Sequence, residues 1–243
     1  MPGQSRIQRP ALLALAAGIS FAVVTLAYRS GALRQLDAEV AFRLHDLRSE
    51  QLYALAGLDD IALRATPVFV AGALLALVLL LRGGPWSWIA PLGIAGSAVV
   101  DFGFKVGWSV FLHPRQLLSA AQILIGLHYH GLSPYPSGHV ERATFVAVIA
   151  IAFLPRLVAV PLVVLALFTP FARMYIEAHR LSEVLGGIDI GVFLAACAVL
   201  AVAMAPRLVG ALRALPVRLR SGQGLEDAPF LGGRVRSNER RSP

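Results

Sequence analysis

The sequence predicts an all-α, polytopic membrane protein with six transmembrane helices and an additional interfacial helix between the first two spans. Of its 243 residues, 57% are hydrophobic and only 15% are charged, whereas a soluble domain carries roughly 25% charged residues. Several apolar runs reach the roughly 20 residues that a helix needs to cross the hydrocarbon core. Helices are expected because a helix satisfies its own backbone hydrogen bonds in lipid.

Six apolar stretches are predicted to span the membrane, and together they form one membrane domain over residues 1–205. They are residues 10–28, 61–81, 87–111, 137–154, 157–176 and 183–205. Arg64 and Pro67 interrupt the second stretch, so its membrane part is expected to begin near Pro67. No small-residue cleavage site follows the first stretch, which favours an uncleaved span over a signal peptide. The remaining residues, 206–243, are expected to form a basic cytoplasmic tail that is largely disordered.

The charged stretch between the first two spans has helical periodicity. Leucine and valine recur at intervals of three and four residues, at Leu33, Leu36, Val40, Leu44 and Leu47. This pattern predicts an amphipathic helix that lies on the membrane surface. An ordinary connecting helix packed against the spans fits the same pattern equally well.

The distribution of arginine predicts which side of the membrane each loop faces. Six spans place both termini on one side, and that side holds arginines with no acidic residue nearby, at positions 6, 9, 82, 156, 207, 213, 218 and 220. On the opposite side, the segment 29–65 mixes five arginines with six acidic residues. Because cytoplasmic loops carry the excess of basic residues, both termini are expected to be cytoplasmic. The basic character of the chain is therefore explained without nucleic acid.

Ionisable residues cluster at the outer ends of the predicted spans. Lys105 lies nineteen residues after Trp86, about 28 Å along a helix, and Arg173 lies sixteen residues after Leu157, about 24 Å. His139 and Glu183 open their spans from the same side. Charge inside a span is costly and usually functional, so convergence on one face predicts a single polar site.

Lys105 is the only lysine in the chain, and the other 21 basic residues are arginine. A compact ammonium group at this position can bind phosphate oxygens. The alternative is a snorkelling helix end, with Lys105 paired to Asp101 one turn earlier.

Two further motifs complete the predicted site. Pro136-Ser137-Gly138-His139 stands where a loop becomes a helix, and free N–H groups at a helix N-terminus can bind an anion. His179 and Glu183 are four residues apart, so they share a face if the helix starts before His179. A carboxylate on one imidazole nitrogen leaves the other nitrogen basic, and the nearby Arg173 has a guanidinium matched to phosphate oxygens. A structural ion-pair cluster is the alternative.

These motifs resemble those of the type 2 phosphatidic acid phosphatase superfamily, in its membrane branch. That family carries a lysine-to-Arg-Pro motif, a Pro-Ser-Gly-His motif, and a third motif of Arg, five residues, His, three residues and Asp. The second motif matches fully at Pro136 to His139, and the third matches in spacing from Arg173 to Glu183. The resemblance covers about residues 60–205.

The sequence departs from the family pattern in two places. Glu183 stands where the family usually has aspartate, which keeps the charge and adds a methylene. The Arg-Pro expected at the seventh and eighth positions after Lys105 is replaced by Leu112 and His113. Arg115, His113 and Arg142 are the candidates for the missing phosphate donor; alternatively, that contact is lost.

The resemblance implies a metal-independent lipid phosphatase without a cofactor, acting on a membrane lipid in the bilayer. His179 would attack phosphorus, His139 would protonate the leaving group, and Glu183 would orient His179. The phosphate-binding residues implied are Lys105, Ser137, Gly138 and Arg173, with Arg115 and Arg142 as further candidates. The substrate would be phosphatidic-acid-like or an isoprenyl pyrophosphate such as undecaprenyl pyrophosphate. The expected location is the bacterial inner (plasma) membrane, with the active site facing outward.

Three other functions fit parts of the sequence. A phosphotransferase on the same scaffold would move the phosphoryl group to a lipid or sugar instead of water. A transporter would place ionisable residues through the bilayer depth, whereas the strongest ones here lie near one face. A membrane protein that kept the fold of this family but lost its activity would explain why the first motif lacks its Arg-Pro pair. Soluble haloperoxidases share the motifs but not the apolar spans. The oligomeric state is not predicted.

Overall fold

The computed structural model describes the backbone of residues 2–63 and 134–221, together with isolated helical positions between 70 and 103. Within these ranges the regular structure is helical and no strand occurs, which confirms the predicted all-α class for this part of the chain. The continuous helices are α1 (Pro2–Ser30), α2 (Arg34–His45), α3 (Glu50–Ala62), α4 (Gly138–Phe153), α5 (Arg156–Tyr175) and α6 (Leu181–Ser221).

Three described segments are long and apolar enough to cross a membrane. They are Ile7–Ser30, Arg156–Tyr175 and Leu181–Ala205, and they coincide with the first, fifth and sixth predicted spans. Helix α4, in the fourth predicted span, has 16 residues. The second and third predicted spans lie mostly outside the described residues, so the total of six spans stays a prediction.

The apolar side chains of these helices face outward as well as inward. Leu26 of α1 is 66% exposed, and Leu157 and Leu167 of α5 are 88% and 74% exposed. Large exposed apolar surfaces are unusual in soluble monomers. Contact with lipid tails would remove these apolar side chains from water. Their exposure therefore indicates that the helices associate with a membrane.

The stretch predicted as one interfacial helix forms two helices, α2 and α3. The helical path breaks after His45, and Ser49 begins α3 as its N-cap by accepting a hydrogen bond from the Leu52 N–H at 3.3 Å. The Tyr175 hydroxyl oxygen lies 2.6 Å from the Ser49 N–H and accepts a hydrogen bond from it. Both helices contact α5. Their position at the membrane surface stays a prediction.

Helices α4 and α5 form a hairpin that packs against α6. The buried cluster includes Ala143, Phe145 and Ile149 of α4 together with Ala195 and Ala198 of α6. The α6 residues are small, which allows the two helix backbones to approach closely, as is common between membrane helices.

Glycines at the start of α6 lie close to the backbone of α4. A Cβ atom on Gly187 would lie 2.6 Å from the Ser137 carbonyl oxygen, and one on Gly191 would lie 2.6 Å from the Glu141 carbonyl oxygen. Both obstacles are backbone atoms, which cannot move aside as a flexible side chain can. The spacing of four residues places the two glycines on one face of α6, so this face must remain free of side chains.

The chain divides into two compact units, Met1–Ala203 and Met204–Pro243. In the second unit the structure describes residues 204–221, which are helical. The disorder expected at the end of the tail concerns residues outside the described part, and the predicted domain boundary stays a prediction.

Substitution of Gly191 by alanine should lower the free energy of unfolding by about 1–3 kcal/mol, the usual cost of overpacking. Gly57→Ala in α3 is the control, because a Cβ there meets no atom within 4 Å. The measurement is the thermal unfolding midpoint in detergent. Equal midpoints for Gly191→Ala and the unsubstituted protein would contradict the close contact between α6 and α4.

Candidate active site

The loop before α4 is anchored to α1 through Tyr135, which is 1% exposed. The Tyr135 hydroxyl lies 2.7 Å from the Thr25 hydroxyl, and its ring stacks on Tyr28 with centroids 4.4 Å apart. Burial raises the pKa of Tyr135 to about 12, so the phenol keeps its proton at neutral pH. The aromatic contact holds the following three residues against the body of the protein.

Ser137 joins the start of α4 to the start of α6. Its backbone N–H donates a hydrogen bond to the Glu183 carbonyl oxygen at 3.0 Å. Its side chain is fully buried, and the hydroxyl has no hydrogen-bond partner among the described residues. Ser137 is the N-cap of α4 but makes no side-chain cap. Its hydroxyl lies next to the first turn of α4, which begins at Gly138 and whose N–H groups have no partner within the helix.

His139 lies in the first turn of α4 and faces the end of α3. Its Nε2 atom is 3.2 Å from the Asp60 carbonyl oxygen and 3.4 Å from the Asp60 carboxylate. The side chain is 18% exposed. A partly exposed imidazole at a helix N-terminus can reach both a ligand and solvent.

Arg173 lies in the last turn of α5, and its side chain is 8% exposed. Its guanidinium forms an ion pair with Asp60, and its Nε atom has no hydrogen-bond partner among the described residues. Because Asp60 also contacts His139, one carboxylate connects residues of the second and third motifs.

The chain reverses direction between Arg173 and His179 through a Schellman turn. The Ala178 N–H donates to the Arg173 carbonyl oxygen and the Glu177 N–H donates to the Met174 carbonyl oxygen, both at 3.0 Å. Glu177 occupies the left-handed position with φ of 56°, where glycine is the usual residue. The His179 N–H also donates to the Arg173 carbonyl oxygen, at 3.2 Å, so the turn sets the backbone separation of these two candidate site residues.

His179 and Glu183 are hydrogen-bonded, with 2.8 Å between Nδ1 and the carboxylate. The condition that both lie on one helix is not met, because α6 begins at Leu181. Glu183 instead reaches back from the first turn and also accepts a hydrogen bond from the Arg180 N–H at 3.3 Å, as in a capping box. A carboxylate beside Nδ1 is the partner that favours a proton on that nitrogen and leaves Nε2 as the basic nitrogen of a neutral imidazole.

A second carboxylate, from α2, holds the N-terminus of α6. Asp37 accepts hydrogen bonds from the Ser182 N–H and the Ser182 hydroxyl, each at 2.8 Å. Asp37 is 7% exposed and Ser182 is fully buried. Since Ser182 precedes Glu183, this contact positions the carboxylate that orients His179.

The other predicted phosphate-binding residues have different outcomes. Arg142 is 4% exposed and donates from Nε to the Leu63 carbonyl oxygen at 3.1 Å. Lys105 and Arg115 lie outside the described residues, as does Asp101. Their roles, and that of Arg142, stay predictions.

Sequence reasoning missed Asp37 and Asp60. Both lie in the charged stretch before the second predicted span, where six acidic residues are mixed with five arginines and no acidic residue stands out as part of a site. Their partners are far away in sequence, 145 residues for Asp37 with Ser182 and 113 for Asp60 with Arg173. Asp59 is similarly anchored, accepting a hydrogen bond from the Thr169 hydroxyl at 2.7 Å, while burial raises its pKa.

The arrangement is suited to an anion. Buried Arg173 shares Asp60 with His139, and buried Ser137 at the start of α4 is hydrogen-bonded to Glu183, which in turn binds His179. Guanidinium groups and helix N-termini both bind phosphate oxygens. Among the described residues, no three His, Cys, Asp or Glu side chains are grouped closely enough to hold a metal ion.

Replacing Asp37 with alanine should lower the thermal unfolding midpoint, because two buried donors on Ser182 lose their acceptor. Loss of an N-terminal cap costs about 0.5–2 kcal/mol. Glu39→Ala is the control from the same helix, since Glu39 forms an exposed ion pair with Arg43. An equal midpoint for Asp37→Ala and Glu39→Ala would contradict the anchoring of α6 by α2.

Comparison of the sequence with models of known protein families identifies one family. The model of the PAP2 superfamily matches residues 86–207, about half of the chain. No significant match was found among curated proteins or among solved structures. The matched region contains His139, Arg173, His179 and Glu183, whose contacts are given above, and membership indicates phosphatase-type activity. The chain therefore belongs to the PAP2 superfamily, as its second and third motifs predicted.

Proposed function

We propose that this protein hydrolyses a phosphate monoester or pyrophosphate on a membrane lipid through a phosphohistidine intermediate. The observation that carries the proposal is the 2.8 Å hydrogen bond between His179 Nδ1 and Glu183. A carboxylate acceptor at Nδ1 favours the tautomer in which Nε2 has a lone pair, which is what a histidine nucleophile requires. Arg173 supports the proposal, because the turn at Glu177 joins its backbone carbonyl to the His179 N–H.

In the first step, His179 Nε2 attacks phosphorus and forms a P–N bond, while the bond from phosphorus to the leaving oxygen breaks. His139 donates a proton to that oxygen as general acid. Arg173, the Ser137 hydroxyl, the Gly138 N–H and Lys105 stabilise charge on the three equatorial oxygens. Arg142 and Arg115 are candidates for the remaining contact.

In the second step, water attacks the phosphohistidine. His139, now neutral, accepts a proton from that water, the P–N bond breaks, and inorganic phosphate is released. Glu183 stabilises positive charge on the His179 imidazole in both steps. The cycle returns each histidine to its starting protonation state and requires no metal.

The apolar helices on either side of His179 support a lipid substrate. His179 lies between α5 and α6, two helices with segments apolar enough to cross a bilayer. A phosphate headgroup can reach residues at the ends of such helices while its tails stay in the hydrocarbon. Both phosphatidic-acid-like lipids and isoprenyl pyrophosphates meet this requirement. The arginine distribution favours cytoplasmic termini and a site on the non-cytoplasmic face.

The mechanism predicts that His179→Ala lowers kcat by at least about 10³-fold, because the covalent pathway is lost. His139→Ala should lower kcat by about 10²–10⁴-fold, the usual contribution of a general acid. The assay is release of inorganic phosphate from a panel of lipid phosphates by detergent-purified protein. Wild-type protein quenched during turnover of ³²P-labelled lipid should carry an alkali-stable, acid-labile label.

His45→Ala is the matched control, because His45 is an exposed histidine on α2. It should keep wild-type activity and labelling. Equal activity of His179→Ala and wild type would rule out the nucleophile. Transfer of label to an added alcohol, without release of phosphate, would instead identify a phosphotransferase.

The proposed orientation can be tested by cysteine labelling in a Cys197→Ser background. Glu39→Cys, in the segment expected outside, should react with a membrane-impermeant maleimide on intact cells. Arg213→Cys, in the tail, should react only after permeabilisation. The reverse pattern would place the site on the cytoplasmic face.

A further inference from the structure

The end of α3 reaches the proposed phosphate site, although it belongs to none of the three motifs. Asp60 forms an ion pair with Arg173, and its carboxylate lies 3.4 Å from His139 Nε2. Its carbonyl oxygen lies 3.2 Å from the same nitrogen. One residue therefore contacts the two side chains that are proposed to bind phosphate and to protonate the leaving group.

Contacts on both sides of Asp60 hold this end of α3 in place. Asp59 accepts a hydrogen bond from Thr169 of α5 at 2.7 Å. Leu63 accepts one from Arg142 of α4 at 3.1 Å. Each anchor comes from a different helix of the α4–α5 hairpin, so the position of Asp60 follows from packing and not only from its attraction to Arg173.

A carboxylate and a phosphate compete for the same partners. Both present anionic oxygens that fit the donor fork of arginine. Two anions on one guanidinium also repel each other, most strongly in surroundings with little water. The Asp60 carboxylate is 23% exposed and the Arg173 side chain is 8% exposed, so solvent screens this competition only in part.

We propose that Asp60 is an internal anion that neutralises Arg173 in the empty site, and that the phosphate of the substrate must displace the Asp60 carboxylate from this guanidinium. This inference rests on the proposed function. A lipid substrate has additional binding energy from its tails and overcomes the competition. Free inorganic phosphate has no tails and is held weakly. Asp60 is thus a specificity-determining residue that favours lipid phosphate over the inorganic product and promotes product release.

The test measures the dissociation constant of inorganic phosphate for detergent-purified, full-length protein. Asp60→Asn keeps the size of the side chain and removes its charge. It should bind phosphate about tenfold more tightly than wild type, because a like charge no longer competes for Arg173. Phosphate should also inhibit lipid hydrolysis at correspondingly lower concentrations. Glu39→Gln is the matched control for removal of one exposed negative charge, and it should bind phosphate as wild type does.

Loss of Asp60 leaves the Arg173 charge buried without its carboxylate, so the variant can be less stable. Phosphate should then raise its unfolding midpoint more than that of wild type, because at a given concentration a ligand that binds more tightly stabilises the folded state more. Asp60→Ser, a smaller neutral side chain, should behave in the same way.

Two results would overturn the inference. The first leaves the proposed function unaffected, and the second contradicts the proposed function as well. If wild type binds phosphate and both Asp60 variants bind it equally or more weakly, the competition does not exist and the proposed function is unaffected. If no variant and no wild-type protein binds phosphate or forms a phosphohistidine, the phosphate site itself is wrong and the inference fails with it.

Discussion

One backbone hydrogen bond, from the Ser137 N–H to the Glu183 carbonyl oxygen, joins the two halves of the site. It connects the first residues of α4 with those of α6, and so brings His139 and His179 into one region. The bond is possible only because α6 presents glycine where it meets α4, at Gly187 and Gly191. A site made from helix ends thus depends on a close helix contact below it.

Carboxylates act as positioning groups throughout the described part of the molecule. Glu183 orients His179, Asp37 caps the helix that carries Glu183, and Asp60 contacts Arg173 and His139. Buried charges are tolerated when they are paired and hydrogen-bonded. The helices α2 and α3 supply two of these three carboxylates, so the segment before the second predicted span contributes to the site although it contains no motif.

Local sequence patterns predicted three of the spans and the pairing of His179 with Glu183. The features that they did not predict depend on contacts between residues far apart in sequence. Apolar length identified three spans, and the four-residue spacing led to the His179–Glu183 pair, although a capping turn and not a shared helix face brings them together. At the break between α2 and α3, the Ser49 N–H donates a hydrogen bond to the Tyr175 hydroxyl. The spacing of apolar residues in the sequence contains no information about this distant contact. Asp37 and Asp60 resembled ordinary surface charges because their partners lie more than a hundred residues away.

The length of α4 has a consequence for the surrounding lipid. Its 16 residues extend about 24 Å at 1.5 Å per residue, less than the hydrocarbon thickness of about 30 Å. If α4 spans the membrane, as its sequence predicts, the bilayer can match its length by thinning locally, at a modest cost per ångström of mismatch. Its surface would then dip beside His139, and a phosphorylated headgroup would arrive at the imidazole by lateral diffusion without leaving its leaflet.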